Sequence, residues 1–294
     1  MKSVRIGIIG GSGLYRMDGL TDVEEHVIQT PFGVPSDAFL VGKLDGVDVV
    51  FLARHGRGHA LIPGQIPFRA NIYAMKKLGV QYLVSVSAVG SLREDIAPLD
   101  MVLPDQFIDM TRRRESTFFG DGAVAHVAMA DPVCSVLSQV LADAHAEVSP
   151  SALWRGQKLH RGGTYVCIEG PAFSTRAESH WYRSMGGAVI GMTNMPEARL
   201  AREAEIAYAT LALVTDWDSW NPHQACVTAE MAIANLQGNA HRAQELVSVA
   251  IGKISRSWPI STAHEALRSA LVTPPSTMAV EARARLESIV SKYA

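Results

Sequence analysis

The sequence predicts a single α/β domain, a central mixed β-sheet flanked by helices, with extra C-terminal helices. Three observations predict it. Short apolar, β-branched runs alternate along the chain with segments of helical period. Several of those runs end abruptly in glycines, hydroxyls or charges, as strands do where open α/β sheets bind ligands. No repeat or low-complexity tract marks a linker, so residues 1–255 read as one body and 256–294 as a helical extension.

Taken in order, residues 4–9 form a first strand that enters the turn Gly10-Gly11-Ser12-Gly13. Arg16 stands where a dinucleotide fingerprint needs its third glycine. What remains is a loop of backbone N–H groups plus the Ser12 hydroxyl, equally a tight turn or an anion cradle. Residues 23–29, 38–44 and 47–53 are strands, the last two joined by the hairpin signal Asp45-Gly46. The third runs into Arg54-His55-Gly56-Arg57-Gly58-His59, where a planar donor fork and an imidazole could clamp an oxyanion. His55 and His59 have no evident third ligand, and the glycines oppose a helix, so no metal is expected.

Residues 67–78 are helical. Residues 80–86 form a buried strand followed by Ser87-Ala88-Val89-Gly90-Ser91, and residues 101–108 a further strand. Residues 112–131 lack periodicity and read as a long loop, a length that tends to be functional or mobile. A helix over 132–146, a strand over 164–168 ending at Glu169-Gly170-Pro171-Ala172-Phe173-Ser174, and a helix over 174–185 follow. The central stretch is 186–220. It holds a strand at 188–190, a helix opened by Pro196, and a long apolar run over 206–214. That run ends in Asp216 and Asp218, set among Trp217 and Trp220. Carboxylates at a strand end either cap the next segment or mark a site. One long helix covers 228–254, capped by Thr228, and two more cover 260–271 and 278–293.

The totals exclude several classes. The chain has 294 residues, 48% hydrophobic and 19% charged, with a net charge of −2, so it carries no electrostatic footprint for nucleic acid. The run Arg112-Arg113-Arg114 is followed at once by Glu115 and reads as a solvated loop. Cys134, Cys167 and Cys226 are odd in number and widely spaced, which supports neither a disulfide framework nor a zinc knuckle and suits a reducing cytoplasm. No apolar run reaches the length of a membrane span or, at the N-terminus, of a signal peptide.

The segments GIIGGSGLY, ARHGRGH, NIYAMKKLGV, SAVGSL, DQFIDMT, IEGPAFSTRAES, GMTNMPEA and TDWD occur in that order. Together they resemble the trimeric nucleoside phosphorylase family, most closely its 5′-methylthioadenosine branch, over about residues 4–255. The resemblance implies a homotrimer, possibly a hexamer through the C-terminal extension. It implies attack of phosphate on C1′ of a purine nucleoside, with inorganic phosphate as co-substrate and no other cofactor. It implies Ser12, Arg54, His55, Ser87, Ala88 and Thr193 as the phosphate set, Asp216 as the carboxyl that meets the leaving purine, and Asp218 as its partner or a route for the proton. Val89 would line the base slot, Phe173 and Ser174 would lie against the base, and Met192 against the ribose. His59 and Ala229 would approach the 5′ region, and His126 a neighbouring subunit's site. The branch's human-type members carry Asn where this chain has Gly191. The alternatives are a 6-oxopurine or methylthioinosine phosphorylase, and a nucleoside sensor that has lost turnover.

Overall fold

The computed structural model describes residues 4–11, 18–154, 156–223 and 228–294. Among the described residues, eleven strands form one mixed sheet: β1 (Ile6–Gly10), β2 (Leu20–His26), β3 (Phe39–Leu44), β4 (Val47–Ala53), β5 (Tyr82–Ser91), β6 (Met101–Leu103), β7 (Gln106–Asp109), β8 (Leu159–Arg161), β9 (Thr164–Cys167), β10 (Gly187–Gly191) and β11 (Ala207–Asp216). Its spine runs β2-β3-β4-β1-β5-β10-β9-β7, with β11 along the other side of β5 and the short β6 and β8 beyond it. The helices are α1 (Phe68–Lys77), α2 (Ser135–Val148), α3 (Arg176–Ser184), α4 (Asn194–Glu203), α5 (Ala229–Ser257), α6 (Val280–Arg285) and α7 (Glu287–Val290).

Why the central strands read as unbroken apolar runs follows from this layering. Successive side chains of a strand face opposite sides of a sheet, and here both sides are covered. On β11, Tyr208, Ala212 and Val214 join a core that includes α1 and α4, while Ala207, Ala209, Leu211 and Leu213 join one that includes α2 and α5.

β5 is the strand that makes the site. Its first half pairs with β1, up to Gly10↔Val86, and its end pairs with β10, from Ile190↔Gly90. Between those partners, Ser87, Ala88 and Val89 have a strand on one side only, that of β11. Alternate backbone groups of a strand point to opposite edges. The Val86 carbonyl accepts from Gly11 N–H on the β1 side, so the Ala88 N–H points into the gap. The sequence expectation put these residues after the strand; they lie inside it, where it exchanges one neighbour for another.

Other expectations shift in the same local way. The strand at 101–108 is two strands, β6 and β7, and the short β8 was not foreseen. The helix expected at 260–271 is a 3-10 turn at Thr262–Glu265 followed by irregular turns, and that expected at 278–293 is broken into α6, α7 and a final 3-10 turn. Instead of standing apart, this segment packs inward. Leu267, Met278, Leu286 and Ile289 belong to the same core as α1 and α4. It also straps the long loop: His126 N–H donates to Ala270 O at 2.8 Å and Val272 N–H to Val124 O at 2.9 Å. Among the described residues, no helix is long and apolar enough to cross a membrane.

Candidate active site

Four element ends converge beside the gap in β5. The Gly10-Gly11 end of β1, Arg54 and His55 after β4, Ser87 in β5 and Thr193 before α4 are all buried. Ser87 Oγ lies 3.4 Å from Thr193 Oγ1 and 3.2 Å from the hydroxyl of the fully buried Tyr165. Ser12 lies outside the described residues.

Arg54 is held rather than free. Its Nε and Nη2 donate to Glu197 at 2.8 and 3.2 Å, Nη2 to Ser85 Oγ at 2.6 Å, and Nη1 to Val86 O at 3.0 Å. A guanidinium has five N–H groups, so among the described residues one, on Nη1, is uncommitted. It sits against the glycine turn, where a Cβ added to Gly11 would come within 2.8 Å of Nη1. Glu197 also accepts from Ser85 and Tyr208. The open clamp expected from the sequence is thus a buried ion pair that presents a single N–H.

His55 is neutral. Burial pushes its pKa down to about 4, and the nearby Arg54 and Arg114 guanidiniums lower it further, against the raising effect of the hydrogen bond to Leu61 O. Its Nδ1 lies 2.9 Å from Leu61 O, a carbonyl that can only accept, so Nδ1 carries the proton and Nε2 the lone pair. The His59 ring stacks on it at 4.2 Å.

The carboxylates lie at the other end of the same β5 segment. A Cβ on Gly90 would meet Asp216 Oδ1 at 2.7 Å and Asp218 Cβ at 3.3 Å, so only glycine lets β5 approach the pair this closely. Asp216 accepts from Thr215 Oγ1 at 2.6 Å and from Asp218 N–H at 2.8 Å. Burial raises the pKa of both carboxyls, and for Asp216 the Asp218 charge adds to it. Asp218 Oδ2 and the hydroxyls of Ser174 and Ser179 are buried together, and both hydroxyls lie close enough to the Asp218 carboxyl to lower its pKa against the effect of burial. A loosely closed polar cluster of this kind can also take a polar ligand edge. Trp220, which packs edge-on against Trp217, anchors the turn by donating to Ser91 O at 2.8 Å.

Met192 packs against the 170 turn, where a Cβ on Gly170 would meet its sulfur at 2.5 Å. A Cβ on Gly191 would lie 2.0 Å from Tyr165 Oη, so the tyrosine hydroxyl fills the space a side chain there would take. Val89 is buried beside Gly191, and Phe173 is 44% exposed in the single chain. His126 is exposed on the strapped loop, and no hydrogen bond joins its side chain to this cluster among the described residues. Ala229 begins α5 below a Thr228 cap, and its side chain lies outside what is described.

Sequence reasoning missed Glu197, Tyr165 and Arg114. Glu197 pairs across 143 positions, which no local pattern signals. Arg114 was placed on a solvated loop, yet its side chain is 2% exposed. Among the described residues, no group of three or more His, Cys, Asp or Glu side chains could hold a metal ion.

Residues 5–251 match the family described as the phosphorylase superfamily. The S-methyl-5′-thioadenosine phosphorylase of Thermosynechococcus vestitus is 60% identical over 291 residues, covering 99% of each chain. That of Geobacter sulfurreducens is 53% identical over 98% of each. Among solved structures, a methylthioadenosine phosphorylase from an antarctic soil metagenomic library superposes with a TM-score of 0.92 at 57% identity, over 98% of this chain and 99% of that one. The Schistosoma mansoni methylthioadenosine phosphorylase in complex with adenine does so at 0.82 and 33%, over 99% of both.

Proposed function

The chain belongs to the phosphorylase superfamily, and we infer that it cleaves 5′-methylthioadenosine with phosphate to give adenine and 5-methylthioribose 1-phosphate. One observation carries this reading. A single strand segment, Ser87 to Gly90, has anion donors at one end and a buried carboxylate pair at the other. Phosphorolysis of a nucleoside needs both, a nucleophile held below the sugar and a proton or hydrogen bond for the purine leaving above it.

Phosphate takes the hydroxyls of Ser87 and Thr193, the Ala88 N–H, the free Arg54 N–H and the Ser12 loop. His55 contributes differently from a cation. Its Nε2 lone pair accepts the P–OH proton of monohydrogen phosphate, which fixes the ion with its charged oxygens toward the sugar. The developing charge is met by donors already in place, the arrangement that lowers such barriers most. Met192 lies on the ribose side, and Val89, Phe173 and Ser174 surround the base. Asp218, through the Oδ2 buried beside the Ser174 and Ser179 hydroxyls, accepts from the 6-amino group. Asp216, biased toward its protonated form, shares that proton with N7 as the base departs. A 6-oxopurine would present an acceptor to these carboxylates, which favours the aminopurine over the oxopurine reading. An anion corner has no use in a nucleoside sensor.

The working form is a homotrimer in the cytoplasm, with inorganic phosphate as co-substrate and no other cofactor. The exposed Phe173 and the exposed His126 loop support an assembly in which a neighbour covers them. His59 and the start of α5, where the sequence has Ala229, are the expected surroundings of the 5′ substituent. Incubation with methylthioadenosine, adenosine and inosine, with and without phosphate, tests the reading. Phosphate-dependent adenine release from methylthioadenosine is expected, unaffected by chelators; preferred release of hypoxanthine from inosine would overturn it.

A further inference from the structure

Arg114 spends its whole guanidinium inside the protein. Nε donates to Glu169 Oε1 at 2.8 Å, Nη1 to Met192 O and Met195 O at 2.7 Å each, and Nη2 to Glu169 O at 2.8 Å and Ile168 O at 3.4 Å. Five N–H groups meet five acceptors, so none remains for a ligand. The acceptors are not arbitrary. β9 ends at Cys167 and β10 at Gly191, so the carbonyls of 168, 169 and 192 lie just past the sheet ladder. Met195 has φ −118° and ψ 133°, which breaks the helical path at the start of α4. Buried carbonyls at such places must find donors elsewhere, and one planar fork supplies them all. Glu169 completes the knot by accepting Arg112 N–H at 2.7 Å and Arg113 N–H at 3.1 Å, which fixes the approach of the loop.

We propose that Arg114 is a positioning residue that locks the purine-side segment leading to Phe173 and Ser174 to the sugar- and phosphate-side segment carrying Met192 and Thr193. The segment 168–174 and the segment 192–195 belong to different strand–helix connections. Their spacing sets the distance between the base and the anomeric carbon, and small misplacements in such a site are expensive. Because the loop that delivers Arg114 continues to His126, this one side chain also registers that loop on the site. The proposal rests on the reading of the site as a nucleoside phosphorylase.

The test compares Arg114→Lys and Arg114→Gly with the wild type. A lysine keeps the charge but presents three N–H groups from one nitrogen and cannot span Glu169, Met192 and Met195 together. In both variants the KM for methylthioadenosine should rise about tenfold or more and kcat should fall, because geometry rather than folding is lost. Millimolar guanidinium should restore much of the activity of Arg114→Gly and none of that of Arg114→Lys. Unchanged KM in the lysine variant, or a loss confined to the folded fraction at wild-type KM, would overturn the proposal. Should the glycine variant fail to fold, the KM of the lysine variant decides alone. A wild type inactive on methylthioadenosine would instead sink the functional reading, so the two failures are distinct.

Discussion

Replacing Glu197 by Gln probes how the phosphate corner is held. Glu197 and Arg54 are each 1% exposed. The carboxylate takes Arg54 through Nε and Nη2, plus the hydroxyls of Ser85 and Tyr208. All of these are donors to it, and Oε1 and Oε2 each receive one from Arg54. A glutamine NH₂ at either position therefore meets an Arg54 N–H donor to donor. Arg54 stays charged, since a guanidinium is not deprotonated in a protein even when its carboxylate partner is removed. Breaking a buried pair from one side costs about 3–5 kcal/mol. At about 2 °C per kcal/mol for a chain of this size, Tm should fall by roughly 6–10 °C. Because Arg54 would no longer aim its free N–H past Gly11, the KM for phosphate should rise about tenfold, the scale of one misdirected charge-assisted hydrogen bond. The KM for the nucleoside should move much less. Differential scanning fluorimetry and initial rates, varied in phosphate and then in nucleoside, give all three numbers. A wild-type Tm together with an unchanged phosphate KM would refute the reasoning.

The other expectations are more local. Asp216→Asn should depress kcat/KM for methylthioadenosine by about 10²-fold, the scale of a general-acid contribution, and raise relative activity on methylthioinosine; parallel assays in which that ratio stays constant would remove Asp216 from the base edge. His55 titrates near 6.5 when unfolded and near about 4 in the fold, so its contribution to stability is complete above 6.5 and is lost as pH falls toward 4. His55→Gln should flatten that part of a Tm-against-pH curve, and an identical curve would contradict the neutral assignment. Gly191→Ala should inactivate through collision with Tyr165 Oη, whereas an active, equally stable variant would show that the space is not filled as described.

Many of the residues in this candidate site were legible in the sequence as candidates, and the reasons differ by residue. The buried strands declared themselves because both faces of the sheet are covered, which leaves unbroken runs such as 206–214. Arg54, His55, Thr193 and Asp216 stood out because each follows or ends such a run. Ser87, Ala88 and Val89 were found as a motif but misplaced, since nothing local reveals that β5 changes partners between Val86 and Gly90. Glu197 and Arg114 were invisible as site residues for one shared reason: a charge is read as solvated unless its partner is known. Their partners lie 143 and 54–81 positions away. The C-terminal helices were overextended because apolar spacing from 260 to 293 matched helical period. The apolar residues there instead pack, through short turns, onto the core of α1 and α4.

In the proposed reaction phosphate, not water, takes the sugar. Phosphorus NMR of the reaction with methylthioadenosine tests it most directly. A new sugar 1-phosphate resonance should grow in step with free adenine and stop when inorganic phosphate is exhausted. Adenine appearing with free methylthioribose and no new phosphorus signal would mean hydrolysis, and would contradict it.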